Sequence, residues 1–137
     1  IFSDKFKFTS SSSAYNGFEI QRVVEGKDNE LSLKFKDMVH TKLDNSPVAN
    51  LSLTCGEFVD IIVESNQVIL SSLNSEYCLQ ITLPNDNIKV YNGQVDDKVR
   101  GISGLGFLEK SNVNMIICEI PTNHEIEWKI DAIKVVK

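Results

Sequence analysis

Arginine is nearly missing from this chain. Arg22 and Arg100 are its two copies in 137 residues, and with 19 acidic against 14 basic residues the formal charge is -5. A nucleic-acid surface needs clustered cations to neutralise phosphates. The lysines here stand singly among carboxylates, so no nucleic-acid partner is expected. Long apolar runs are also lacking: Val59–Val63 is interrupted by Asp60, far short of the ~20 residues that a spanning helix needs. No membrane span is expected. Histidine occurs twice, as His40 and His124, each in a polar, turn-like stretch with no second histidine or cysteine at ligand spacing. They read as solvated loop residues, and no metal or cofactor is expected.

Cysteine is sparse and odd in number. Cys55, Cys78 and Cys118 form no C-x-x-C pair, cannot all pair within one chain, and lie in strand-like segments where a thiol serves as a small buried hydrophobe. Reduced thiols are expected, which favours a cytoplasmic or non-classically secreted protein. The glycosylation triplet Asn50-Leu51-Ser52 points weakly the other way. No linker rich in proline, glycine or serine divides the sequence, so residues 1–137 are read as one domain.

Catalytic signatures are absent as well. Gly101-Ile102-Ser103-Gly104-Leu105-Gly106 lacks the lysine and the following helix of a phosphate loop, and reads instead as a bulged or closely packed connection. No G-x-S-x-G elbow occurs. The acidic clusters Pro84-Asn85-Asp86-Asn87 and Val95-Asp96-Asp97 do not have EF-hand spacing and read as solvated turns. No acid pair of glycosidase type stands out. The chain is therefore expected not to be an enzyme.

What the sequence does contain is alternation with period two, the pattern of strands with one wet and one dry face. It is clearest in Leu31–Lys36, Tyr77–Leu83 and Ile126–Asp131. Further strands are predicted at Lys5–Thr9, Phe18–Val24, Ala49–Cys55, Phe58–Val63, Val68–Ser71, Ile88–Tyr91, Val113–Ile120 and Ile133–Val136. Turn residues separate them, among them Asn45-Ser46-Pro47 and Pro121-Thr122-Asn123. Asn92-Gly93 is predicted to close a two-residue hairpin, because glycine and asparagine tolerate the positive φ of a type I′ turn. No segment carries a capped helical stripe. The expected fold is all-β: an antiparallel two-sheet β-sandwich.

The order of the pieces resembles a galectin. Phe6-Lys7-Phe8-Thr9 and Asn16-Gly17-Phe18-Glu19-Ile20 are similar to the family's opening. Asn50–Cys55 and Asp60–Asn66 resemble its two sugar-binding strands, and Glu127-Trp128-Lys129-Ile130-Asp131 resembles its close. The resemblance implies a jelly-roll sandwich binding a ligand on its concave sheet. It places Thr54 where the family has its histidine, Glu57 about where it has an arginine, and Glu64 or Asn66 on the next strand. The family's stacking tryptophan has no counterpart there, since Trp128 lies in the last predicted strand and alternates with Ile126 and Ile130 as a core residue would.

The expected function is thus non-enzymatic recognition of a glycan or protein ligand, with altered or lost β-galactoside binding, through Thr54, Glu57, Glu64 and Asn66. The alternative is an assembly domain acting through its sheet edges, with a homodimer as one form.

Overall fold

The computed structural model describes residues 5–13, 17–44, 47–95, 99–100, 102–106 and 109–135, which hold strands and no helix. The strands are β1 (Lys5–Ser12), β2 (Phe18–Lys27), β3 (Ser32–Thr41), β4 (Ala49–Thr54), β5 (Asp60–Glu64), β6 (Gln67–Ser71), β7 (Tyr77–Thr82), β8 (Ile88–Asn92), β9 (Gln94–Val95), β10 (Val99–Arg100), β11 (Ile102–Gly106), β12 (Glu109–Asn112), β13 (Asn114–Ile120) and β14 (Ile126–Lys134). A seven-stranded sheet runs in the order β1-β2-β3-β14-β7-β6-β5 and a three-stranded sheet in the order β4-β13-β8, with β9/β10 and β11/β12 as separate pairs. Every strand pairing is antiparallel. The result is the predicted all-β sandwich. No described helix is long and apolar enough to cross a membrane.

The alternation seen in the sequence decides which face is dry. From the large sheet Val39, Val68, Ile81, Ile126 and Trp128 are buried, and from the small sheet Leu51, Ile116, Cys118 and Ile120 close over them. Each such aliphatic side chain removed from water contributes roughly 1.5–3 kcal/mol. Trp128 is a core residue, as its alternation predicts, and stacks on its cross-strand partner Phe35 with centroids 3.9 Å apart and planes 9° from parallel.

Register also builds a polar knot into this face. Arg22 lies directly opposite Asp37 on the neighbouring strand. Its Nε donates to Asp37 Oδ1 at 2.8 Å and its Nη2 to Oδ2 at 2.9 Å, while the Trp128 indole N–H donates to Oδ2 at 2.8 Å. The guanidinium also lies over both rings, 5.7 Å from the Phe35 centroid and 5.6 Å from that of Trp128. A carboxylate taken out of water is tolerated when bidentate and fully bonded.

Three local expectations are corrected. Asn92-Gly93 is not a hairpin turn: β8 hydrogen-bonds to β13, with Asn92 opposite Asn114, whereas β9 pairs with β10. The glycine is needed for another reason, since it sits at φ 66° and a Cβ there would run into the Asn112 side chain. His40 lies in β3 rather than in a turn, its Nε2 3.4 Å from Gln21 Oε1. Phe58, expected to open a strand, precedes β5 and has left-handed backbone, with φ 58°. By contrast, the register of β11 and β12 shifts between Gly104 and Gly106, the bulge predicted from the glycine spacing. Asp96, Asp97, Gly101 and the Asn45-Ser46 turn lie outside the described residues.

The tight hairpin is at Ser65-Asn66, between the paired residues Glu64 and Gln67. Ser65 adopts φ 56°, a conformation that glycine takes without steric cost. Ser65→Gly should therefore raise stability by about 0.5–1 kcal/mol, read as a rise in the urea midpoint with an unchanged slope.

Candidate functional site

The four residues expected to bind ligand do not form one face. Thr54 ends β4 in the small sheet, whereas Glu64 ends β5 in the large one. Glu57 lies half-buried in the connection between them. Glu64 stands four strand steps beyond Asp60, about 13 Å away. Asn66 is occupied structurally: its Nδ2 donates to the Leu83 carbonyl at 3.1 Å and its own carbonyl accepts from Leu83 N–H at 2.8 Å. The structure thus gathers Thr54 and Glu57 at one end of the sandwich and leaves Glu64 and Asn66 at the other. The sequence likeness placed β4 and β5 side by side, but the chain between them crosses from one sheet to the other.

That crossing, Cys55-Gly56-Glu57-Phe58-Val59, is where a site does form. Asn114 clamps both of its ends: the Asn114 carbonyl accepts from Cys55 N–H at 2.8 Å, and Asn114 Nδ2 donates to the Val59 carbonyl at 2.9 Å. Asn92 Nδ2 in turn donates to Asn114 Oδ1 at 3.1 Å, which fixes the amide's orientation. Between the clamped ends the chain turns sharply at Phe58 and holds its ring 84% exposed. A bulky residue at positive φ costs about 1–3 kcal/mol and persists only where its surroundings enforce it.

The ring borders a cleft of about 400 Å³ that also takes in Asp60, Leu73, Asn74, Asn92, Asn112 and Asn114. This volume falls within the roughly 300–1,000 Å³ of small-ligand sites. Asp60 is the single charged side chain among the described residues lining it. No hydrogen bond or ion pair among the described residues engages the Asp60 carboxylate or the Asn74 side-chain amide. Planar amides and a carboxylate beside an accessible aromatic face supply directional bonds to hydroxyls and a platform for an apolar ring face.

Other candidate chemistry is weaker. The lysines on the outer face of the large sheet sit among acids, with Lys7–Glu25 at 3.8 Å, Lys34–Glu127 and Lys36–Glu127 at 3.9 Å, and Lys129–Asp131 at 3.5 Å. These exposed pairs contribute at most about 1 kcal/mol each and form a mixed lattice. No trio of His, Cys, Asp or Glu among the described residues is placed to hold a metal ion. The Pro84–Asn87 turn uses its amides internally, Asn85 Nδ2 donating to the Glu119 carbonyl and Asn87 Nδ2 to the Glu119 carboxylate, each at 2.8 Å.

Cys55 and Cys118 are buried, and burial pushes both thiols above their ordinary range. A raised thiol holds less thiolate at neutral pH and reacts more slowly. Iodoacetamide at pH 8 should therefore modify half-buried Cys78 first, with Cys55 and Cys118 labelled only once urea unfolds the chain, as followed by peptide mass mapping.

No protein-family profile matches the chain, and no curated protein is significantly similar to it. A solved structure of heparinase III, determined with methylated lysines, is similar in fold with a TM-score of 0.72 at 10% sequence identity. The likeness covers 98% of this chain and 20% of heparinase III, so the chain spans about a fifth of that protein's length. What is shared is the β-sandwich; the similarity is to heparinase III, and it carries nothing specific to galectins.

Proposed function

We propose that this chain is a non-catalytic module that binds a neutral sugar unit of a glycan in the Phe58 cleft. The observation that carries the reading is Phe58 itself, an aromatic ring held out to solvent at a backbone cost and surrounded by asparagines. A pyranose ring has an apolar face that stacks on such a platform, and hydroxyls that match amide and carboxylate geometry. The fold shared with part of heparinase III, a protein named for a glycan, supports the same class of ligand. A sulfated polymer is a poorer fit, because no described cation lines the cleft and Asp60 would repel it. Hydrolysis of glycosidase type calls for two carboxyls across the bond, and the described lining offers Asp60 alone.

A glycan array followed by calorimetry tests this. Neutral oligosaccharides should bind with a dissociation constant on the order of 0.1–1 mM, as expected for a small, shallow site, and heparin should not bind. Silence across all neutral glycans would overturn the reading.

One feature favours the assembly reading instead. Edge strand β1 pairs on one side alone among the described residues and carries an exposed Phe8, the kind of edge that pairs with another copy. Light scattering at rising concentration distinguishes it: a constant monomer mass speaks against self-association.

A further inference from the structure

Beside the Phe58 cleft, the two sheets do not close on each other. A second cleft of about 380 Å³ enters between edge strand β4 and the inner face of the large sheet, with Leu53 on one side and Leu70, Leu79, Ile81 and Ile130 on the other. Leu79 shares its sheet face with buried Ile81 and belongs to an interior strand, yet it is 38% exposed. An inward-facing leucine left this open marks apolar area that the fold itself does not cover. Serines 71, 72 and 75 and Thr54 also line the slot.

The two clefts adjoin. Gly56, Val59 and Ser72 line both, and a Cβ built on Gly56 would meet nothing within 4 Å, so no side chain fills the space at that residue. We infer that the ligand is a sugar bearing a short apolar substituent, an alkyl, acyl or aryl glycoside, with its sugar on Phe58 and its substituent in the Leu53–Leu79 slot. This rests on the proposed glycan reading and extends it to the ligand's second half. A free oligosaccharide would leave the slot empty, whereas an attached chain would place its carbons against Leu70, Leu79 and Ile130 while the serine hydroxyls stay wet.

The test is calorimetry with methyl, butyl and hexyl β-glycosides of glucose, galactose and N-acetylglucosamine, with 1-hexanol as the sugar-free probe. Burial of each methylene favours binding by roughly fourfold until the slot is full, so for at least one sugar the hexyl glycoside should bind more than about tenfold tighter than the methyl. That ratio should fall toward one in Gly56→Leu, which puts a side chain where the two clefts meet, and in Leu79→Asp, which charges the slot wall at a partly exposed position and keeps the test open if the first variant folds poorly. Methyl glycosides that bind with no gain along the series would overturn this inference and leave the Phe58 reading standing. Hexanol binding as tightly as every hexyl glycoside, with no methyl glycoside bound, would overturn both.

Discussion

Arg22→Ala should destabilise the protein by about 3–5 kcal/mol, more than the roughly 2–3 kcal/mol expected for Asp37→Ala. The asymmetry follows from where each half of the ion pair lies. The Arg22 side chain is 40% exposed and that of Asp37 only 5%. Truncating the arginine leaves a carboxylate shut away from water with the indole N–H of Trp128 as its remaining donor. Truncating the aspartate leaves a guanidinium that water reaches, together with one orphaned indole N–H. Against a typical total of about 5–15 kcal/mol, either loss is large. The double replacement Arg22→Met with Asp37→Leu should recover most of it, because apolar side chains of similar size do without the pair altogether. Urea unfolding of the four proteins measures the cycle. Equal losses for the two single variants, or a double variant no better than the worse of them, would mean that the pair is not what holds this end of the sheet.

Phe58→Gly should abolish glycan binding, with affinity falling at least tenfold, and should leave the protein no less stable than before. Loss of a stacked ring removes about 1–3 kcal/mol of binding by analogy with other aromatic platforms. Glycine meanwhile accepts φ 58° without the steric cost that phenylalanine bears there. For a core phenylalanine the two readouts would move together, since truncation there costs about 3–5 kcal/mol. Separation of binding from stability is thus the signature of a residue kept for recognition. Calorimetry on the best array ligand and a parallel urea titration provide both numbers. A large stability loss in this variant would show that the ring packs, and the proposed site would fail with it.

The strands were legible because alternation is local. Leu33, Phe35 and Val39, like Ile126, Trp128 and Ile130, show their dry side in the sequence alone, and β3 and β14 lie side by side in the structure with those faces matched. Sheet membership was not legible. Nothing in Asn50–Asn66 reveals that β4 and β5 part company, so Thr54 and Glu64 were expected together and are found on different sheets. Asn92-Gly93 misled for the same reason: a turn-forming pair fits a corner as well as a hairpin, and the choice depends on β13, which follows much later in the chain. Phe58 was hidden by its context, an aromatic residue ahead of Val59-Asp60-Ile61-Ile62-Val63 that reads as the first residue of a strand. Its left-handed backbone lies next to the Val59 carbonyl that Asn114 holds from 55 residues away. The sequence signal closest to the site is Gly56, two residues before Phe58, a break in the strand pattern that is not enough to show a crossing between sheets.

The position of β14 between β3 and β7 has a bearing on how the protein is made. Trp128 meets Asp37 across 91 residues, and a ribosome adding about 5–20 residues per second takes several seconds to deliver the second after the first. Once β7 has been made, the strands either side of β14, β1-β2-β3 and β7-β6-β5, each leave a bare edge waiting for the same strand. Yield in a cell should therefore fall as translation slows and rise with chaperones that shield such edges.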